Sequence, residues 1–238
     1  MHLHRGLPFV AALAALVPAV VGCRGSRPAS DRALAPASPS ALATPVASGG
    51  MSLREALSRR RSSRAFGPRE PSLEQLGALA WAAQGVTDPA SGHRTAPSAG
   101  GLYPLDTYVL ARAVDGLPAG LYHYNIATVA LERMPARPVD EVVRDGFFWQ
   151  DWVCNAAAIV LLVAAFDRTL AKYGDRGYRL VLLDAGHAAQ NLLLVAEQER
   201  LGACAVAGFC DDALAADLGI DGVDEAVVHS VVLGARSV

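Results

Sequence analysis

The sequence has few charged and few aromatic side chains, and it lacks several motifs that identify common functions. Of its 238 residues, 18% are charged and 6% are aromatic, and the formal net charge is −2. Because there is no excess of basic residues, nucleic-acid binding is not predicted. Neither a Walker loop nor a GxGxxG motif occurs, so a dinucleotide-binding fold is not indicated.

Cysteine is scarce, and its spacing excludes common metal centres. The four cysteines are Cys23, Cys154, Cys204 and Cys210, with no CxxC pair and no nearby pair of histidines. No metal site is therefore predicted. The three cysteines after Cys23 are an odd number, which argues against a disulfide framework. We expect buried thiols, because cysteine behaves as a small hydrophobic residue.

The N-terminus resembles a bacterial lipoprotein signal. The apolar run Leu7–Val21 is interrupted by Pro18 and is followed by Gly22 and Cys23. A membrane-spanning helix needs roughly 20 apolar residues, so a signal segment is favoured. Residues 1–23 are thus predicted to be the signal, and lipidated Cys23 would anchor the protein to a membrane of the cell envelope. An uncleaved anchor or a wrongly assigned start remains an alternative.

Residues 24–50 are rich in Ser, Pro, Ala and Gly. Such a segment buries too little surface to offset its ordering entropy, so a disordered tether is predicted. Residues 51–238 are then one folded domain. Hydrophobic residues make up 52% of the chain, enough for a large core or for a core together with a subunit interface.

Hydrophobic periodicity predicts an α+β domain with helices around a mainly antiparallel sheet. Helices are predicted at Leu53–Arg61, Leu73–Gln84, Tyr178–Leu201 and Asp211–Leu218, with a mixed, partly helical segment at Val139–Cys154. Strands are predicted at Thr107–Ala111, Gly120–Asn125, Thr128–Met134, Ala156–Phe166, Ala203–Ala207 and Ala226–Leu233.

The third of these helices is apolar nearly all round, and Gly202 is its predicted stop. A helix of this kind is buried, and in a domain of this size it often forms a dimer core. His187, Gln190 and Asn191 are then expected to join a buried hydrogen-bond network.

Three segments carry candidate chemistry. The loop Ala96–Pro104 has adjacent glycines, which allow a positive φ and a close approach of the backbone to a flat ligand; an ordinary tight loop is the alternative. Arg59–Phe66 holds four arginines and two serines, which suit phosphate oxygens, although a solvated helix end has the same pattern. Gly202–Phe209 offers backbone N–H groups with little side-chain bulk, which could face a ligand ring. A tight strand-to-helix turn is the alternative.

Five segments in order resemble the nitroreductase superfamily of FMN enzymes, and SAGGLYP resembles its SagB-type branch, the thiazole/oxazole dehydrogenases. The segments are RRSSRAF, PSAGGLYP, DAGHAAQNLLL, GACAVAGF and LGAR. The resemblance covers about residues 51–238. It implies a homodimer with FMN at the interface and hydride transfer through flavin N5 to or from a small-molecule or peptide substrate. A non-catalytic flavin carrier or a structural envelope lipoprotein remains the alternative.

The resemblance also implies roles for particular residues. The FMN phosphate would be held by Arg60, Ser62, Arg64 and Arg236. The loop along the flavin ring would contribute Pro97, Ser98, Ala99 and Gly101. Ala207 or Gly208 would donate its backbone N–H to flavin N5. Lys172 and Tyr173 match a Lys-Tyr pair implicated in azoline oxidation, although a surface lysine and a packing tyrosine are the alternative. Aromatic candidates for the substrate side are Tyr103, Tyr122, Tyr124, Phe147, Phe148 and Trp149.

Overall fold

The computed structural model describes residues 38–43 and 50–237, and within them the chain forms nine strands and seven α-helices. The strands are β1 (Ser40–Ala41), β2 (Val86–Asp88), β3 (His93–Arg94), β4 (Leu105–Ala111), β5 (Gly120–Asn125), β6 (Ala130–Met134), β7 (Ala158–Ala165), β8 (Leu201–Val206) and β9 (Glu225–Ala235). The helices are α1 (Leu53–Arg59), α2 (Leu73–Gln84), α3 (Val139–Gly146), α4 (Asp151–Cys154), α5 (Asp167–Tyr173), α6 (Arg176–Gln198) and α7 (Asp211–Leu218). The predicted signal lies outside the described residues, as does most of the predicted tether.

The main sheet is antiparallel and has the order β1-β6-β5-β4-β7-β9-β8, while β2 and β3 form a separate hairpin. Every residue of the central strand β7 is buried. Its side chains alternate between two cores: Val160 and Leu162 pack with α2 and α6, whereas Ile159 and Leu161 pack with α3, α4 and α7. The predicted α+β class and the central strand covered on both faces are therefore confirmed.

Helix α2 has the predicted bounds because its end signals are local. The Ser72 hydroxyl accepts a hydrogen bond from the Gln75 N–H, and the Gln75 side chain accepts one from the Ser72 N–H, which forms a capping box. The helix ends at Gly85. Helix α1, by contrast, ends at Arg59, two residues earlier than predicted.

Residues 38–43 lie within the predicted tether, and Ser40–Ala41 in this segment form the edge strand β1. Ser40 and Ala41 pair with Leu131 and Ala130 of β6, and the Leu42 N–H donates to the Val129 carbonyl at 2.9 Å. The Leu42 side chain packs on the main core. The predicted tether therefore includes a short segment that pairs with the sheet, because strand pairing supplies hydrogen bonds that a count of apolar residues does not include.

Helix α6 differs from its prediction in its end and in its exposed face. It ends at Gln198, and Gly202 lies inside β8 rather than stopping the helix. His187 and Gln190 are exposed, so they do not join a buried network in this chain. Asn191 does, because its amide donates to the carbonyls of Ala82 and Thr95 at 3.2 and 3.1 Å.

None of the helices in the described part of the chain combines the length and apolar character needed to cross a membrane. Three free cysteines lie in that part: Cys204 and Cys210 are buried as predicted, and Cys154 is partly exposed.

Candidate functional site

The loop before β4 has the left-handed backbone that its two glycines predict. Ala99–Gly101 forms one turn of 3-10 helix, and φ is +65° at Gly100 and +67° at Gly101. Tyr103 follows with φ of +46°. A positive φ strains any residue that carries a Cβ, so the glycines allow this turn while Tyr103 must be held in place by its contacts.

Asp184 of α6 holds this loop in place through hydrogen bonds. The Ser98 hydroxyl donates to Asp184 Oδ2 at 2.6 Å, and the Ala99 N–H donates to the same oxygen at 3.3 Å. The Ser98 hydroxyl also accepts from the Tyr103 N–H at 2.9 Å. Asp184 is only 5% exposed. The predicted ligand residue Ser98 thus already uses its hydroxyl in shaping the loop.

The other side of the loop is held by Arg94. Its guanidinium lies 4.5 Å from the Tyr103 ring centroid and donates to Gln84 Oε1 at 2.8 Å. Its backbone N–H donates to the Tyr103 hydroxyl at 3.3 Å. Burial lowers the pKa of Arg94, which agrees with a cation packed inside the fold. Two elements distant in sequence, α6 and β3, therefore fix one loop.

Lys172 and Tyr173 meet the same loop from the last turn of α5. A Cβ added to Gly100 would lie 2.7 Å from the Tyr173 hydroxyl and 2.8 Å from Lys172 Nζ. The structure thus brings together the predicted catalytic pair and the predicted ring-side loop. Within the described residues, Lys172 forms no ion pair with a carboxylate.

The amino-acid composition gives a second reason to consider Lys172, besides its position in a motif. Lys172 is the single lysine of the chain, and every other residue in its count of 21 lysines and arginines is arginine. Arginine does not release its proton in proteins, whereas lysine can. The one ionisable amine side chain therefore stands beside the candidate loop.

The arginine–serine segment crosses the ends of β8 and β9. The Ser63 N–H donates to the Ala203 carbonyl, and the Gly67 N–H donates to the Ala235 carbonyl, both at 2.9 Å. Between these two bonds the Phe66 ring lies over Gly202 and Gly234, which face each other across the two strands. Cβ atoms there would lie 3.4 and 2.9 Å from the ring. Gly234 thus makes room for the Phe66 ring, whereas a Cβ at Gly202 would first meet the Ser63 side chain, at 2.9 Å from its Oγ.

Two arginines of this segment have no carboxylate partner among the described residues. Arg60 and Arg64 form no ion pair within the part of the chain that the structure describes, and Arg64 lies 5.6 Å from the Trp152 ring centroid. Arg59 instead pairs with Glu55. The Ser62 hydroxyl is exposed and donates to no described residue. Arg60, Ser62 and Arg64 are therefore available to an anion.

Arg236 reaches the same edge of the sheet but already has an anionic partner. Its backbone bridges to Phe66, and its guanidinium pairs with Glu197 Oε2 at 2.5 Å. The Arg236 side chain is 45% exposed, whereas the Glu197 side chain is 4% exposed. Arg236 therefore lies beside the arginine–serine segment while being held by a buried carboxylate that motif reasoning missed.

Ala207 and Gly208 follow β8 and are exposed. Neither backbone N–H donates to another described residue, and the Gly208 carbonyl accepts from Gln150 Nε2 at 3.3 Å. Phe148 and Trp149 lie in the same segment as Gln150 and are 55% and 65% exposed.

The other aromatic candidates divide by burial. Tyr122, Tyr124 and Phe147 are at most 2% exposed and belong to the core, so they do not face a substrate. Tyr103 is partly buried in the loop that Asp184 and Arg94 hold.

The site residues thus form two groups in one chain. One comprises the loop, Asp184, Lys172 and Tyr173; the other comprises the arginine–serine segment and Arg236. Across residues 38–43 and 50–237, no side-chain hydrogen bond or ion pair joins the first group to the second.

The sequence pattern of the nitroreductase family matches residues 57–235. Since this is most of the chain, the protein belongs to the nitroreductase family.

Two curated relatives support the assignment. MJ1384 of Methanocaldococcus jannaschii, a predicted nitroreductase, is 36% identical over 160 residues, which are 67% of this chain and 80% of MJ1384. McbC of Escherichia coli, a microcin B17-processing protein, is 31% identical over 141 residues, which are 56% of this chain and 51% of McbC. The latter match spans only about half of McbC.

Solved structures share the fold. A predicted nitroreductase of Ralstonia eutropha JMP134 has a TM-score of 0.74 and 29% identity, with 87% of this chain and 97% of that chain covered. The E. coli microcin synthetase McbBCD, solved with truncated pro-MccB17 bound, has a TM-score of 0.65 and 24% identity, covering 81% and 76%. A predicted nitroreductase of Desulfovibrio desulfuricans, solved with FMN, has a TM-score of 0.54 and 18% identity, covering 78% and 90%. At these identities, the last two show the fold alone.

Proposed function

We propose that this protein is an FMN-dependent oxidoreductase of the SagB-like type, exchanging hydride with a small-molecule or peptide substrate. The observation that carries the proposal is the contact of Lys172 Nζ and the Tyr173 hydroxyl with Gly100. It unites a pair suited to proton transfer with a loop suited to a flat cofactor. The resemblance to the SagB-type branch implied both roles, in separate parts of the sequence.

The residues present fit FMN. Arg60 and Arg64 have no carboxylate partner among the described residues, so their charge is free for a phosphate. A Cβ at Gly101 or Gly208 would meet no atom within 4 Å, so both backbones border open space. The D. desulfuricans neighbour, which shares this fold, was solved with FMN.

When bound, FMN supplies a two-electron carrier that accepts or donates hydride. Lys172 Nζ and the Tyr173 hydroxyl would manage the proton that accompanies the hydride: in an oxidation they accept it from the substrate, and in a reduction they donate it. Lysine suits this role because arginine stays protonated. That Lys172 is the only lysine of the chain supports the assignment.

The proposed substrate is a small molecule or a peptide. McbC processes microcin B17, and the McbBCD complex holds truncated pro-MccB17. The candidate loop of this chain has the SAGGLYP form of the SagB-type branch. These similarities support an azoline-bearing peptide, whose oxidation removes a hydride and a proton from the ring.

We further propose a homodimer in which α6 packs against its counterpart. Tyr178, Leu182 and Leu183 of α6 are 46%, 55% and 53% exposed, and Leu53 and Leu57 of α1 are 65% and 54% exposed. Large exposed apolar patches mark interaction sites. In such a dimer the two groups of site residues would meet across the interface. Leu183→Glu should yield monomers by analytical ultracentrifugation; an unchanged mass would exclude this interface.

Anchoring at the cell envelope through Cys23 is also proposed, on the sequence alone. Incorporation of labelled palmitate into the expressed chain, and its loss in Cys23→Ser, would support it. Unlabelled wild-type protein would exclude it.

The function is tested by turnover of the full-length chain loaded with FMN. Two probes cover both directions: oxidation of a peptide bearing one thiazoline, and NADPH-driven reduction of 4-nitrobenzoate. Lys172→Arg keeps the charge but removes the transferable proton, so the active direction should slow by about 10²-fold or more while FMN stays bound. Arg176→Lys, an exposed substitution nearby, is the control.

Bound FMN with no turnover of any donor or acceptor would instead support a flavin carrier. Equal rates for Lys172→Arg and the wild type would exclude Lys172 as the proton-transfer residue.

A further inference from the structure

Gly100 and Gly101 have nearly the same backbone but opposite surroundings. Their φ angles are +65° and +67°. A Cβ at Gly101 would meet no atom within 4 Å, whereas a Cβ at Gly100 would lie within 3 Å of both Lys172 Nζ and the Tyr173 hydroxyl. The positive φ explains why both positions are glycine. Only at Gly100 does the missing side chain also leave room for Lys172 Nζ and the Tyr173 hydroxyl.

The two sides of this contact are tied to the same helix. Asp184 of α6 holds the loop through Ser98. Helix α5 packs on α6 where Gly177 approaches Leu170; a Cβ on Gly177 would lie 2.9 Å from Leu170 Cδ1 and 3.1 Å from its Cα. Both backbones are thus held by the same helix, so a side chain at residue 100 would be accommodated by movement of the flexible ends of Lys172 and Tyr173.

We propose that Gly100 is a positioning residue: by lacking a side chain, it sets the place of Lys172 Nζ and the Tyr173 hydroxyl on the candidate flavin loop. The role in catalysis rests on the proposed function, whereas the contact itself does not. Any side chain at residue 100 would displace both groups from the loop. Gly100 itself touches no reacting atom in this scheme and acts only through the pair.

The single lysine makes the test direct. Full-length protein grown with lysine labelled with ¹³C and ¹⁵N gives one side-chain ammonium signal, that of Lys172. Gly100→Ala should shift this signal toward that of free lysine. Gly101→Ala carries the same left-handed strain, but its methyl group meets no atom, so the signal should stay at the wild-type position. An unshifted signal in Gly100→Ala would overturn the proposal.

A second variant covers the case in which Gly100→Ala folds poorly. Tyr173→Phe removes the atom nearest to the added methyl group and leaves Tyr173 Cε2 at 3.5 Å from it. Gly100→Ala/Tyr173→Phe should therefore fold more stably than Gly100→Ala, but its Lys172 signal should still be shifted from that of Tyr173→Phe alone, because Lys172 Nζ remains 2.8 Å from the position of the added Cβ. An identical Lys172 signal in Tyr173→Phe with and without Gly100→Ala would show that the methyl group does not displace this ammonium, which would also overturn the proposal.

The catalytic consequence is measured separately, as turnover of the thiazoline peptide or of 4-nitrobenzoate per bound FMN. Gly100→Ala should be slower than the wild type by about 10-fold or more, as expected when a general acid–base group is displaced. Equal rates would overturn the positioning role. If the wild type binds no FMN, the proposed function fails, and the FMN-free protein still reports on the contact through its lysine signal.

Discussion

The Ser98 hydroxyl donates a 2.6 Å hydrogen bond to Asp184 Oδ2, which ties the loop before β4 to the middle of α6. The carboxylate also accepts from the Ala99 N–H. A buried anion that accepts two hydrogen bonds is stabilised by them, and the loop is stabilised in return. The candidate site thus depends on a residue that does not itself face the ligand.

Asp184→Asn should destabilise the protein, because it removes charge from these bonds. We expect the free energy of unfolding in urea to fall by about 1–3 kcal/mol, with weaker FMN binding. Asp140→Asn is the control: it breaks a pair with Arg112 in which the Asp140 side chain is 63% exposed, so its cost should stay below about 1 kcal/mol. Equal effects of both variants would contradict the anchoring role.

Arg60→Ala and Arg64→Ala should each weaken FMN binding, because each removes a charged contact to phosphate. A loss of about 1.5–3 kcal/mol corresponds to roughly 10- to 100-fold in Kd. Riboflavin has no phosphate, so its binding should not change in either variant. Arg69→Ala, an exposed arginine just beyond the segment, is the control. Parallel losses for FMN and riboflavin would show that these arginines act on the fold rather than on the phosphate.

The edge strand β1 should contribute to the stability of the domain. Leu42→Ala removes part of a half-buried side chain that packs on the core, so we expect a loss of about 1–2 kcal/mol in urea unfolding. Val223, which is 71% exposed, gives the control Val223→Ala, with a change within about 0.5 kcal/mol. Equal changes in the free energy of unfolding for the two variants would mean that residues 38–43 do not pair with the sheet in solution.

Glu199 should make stability depend on pH. Burial, and then the negative charge of Glu74, raise the pKa of Glu199 above its ordinary value. The folded state therefore holds this proton more tightly than the unfolded state, and stability falls as pH rises through the folded pKa. Glu199→Gln should raise Tm at pH 7 and have little effect near pH 4. An increase in the Tm of Glu199→Gln that is as large at pH 4 as at pH 7 would contradict this pKa shift.

The sequence predicted those elements whose signals are local. The capping box of Ser72 and Gln75 fixed the start of α2, and the unbroken apolar run of β7 indicated a strand covered on both faces. The positive φ of Gly100 and Gly101 also followed from residue type. Each of these depends on neighbours within a few positions in the chain.

The errors arose where distant residues decide. Gly202 was taken as a helix stop, but it lies in β8 and makes room for the side chain of Ser63. His187 was placed in a buried network, because the apolar pattern of α6 does not distinguish a face covered within the chain from one left exposed.

The anchors of the site escaped sequence reasoning for the same reason. The partner of Asp184 is Ser98, 86 residues away, and that of Glu197 is Arg236, 39 residues away. Only the fold brings such pairs together.

Binding of FMN is decided by the visible spectrum of the full-length protein. The protein is incubated with FMN, desalted and scanned, with Arg60→Ala/Arg64→Ala as the matched variant. We expect equimolar flavin absorbance in the wild type and a clear loss of it in the variant. A desalted wild type without flavin bands would exclude FMN as the cofactor and leave a member of the nitroreductase family that does not bind it.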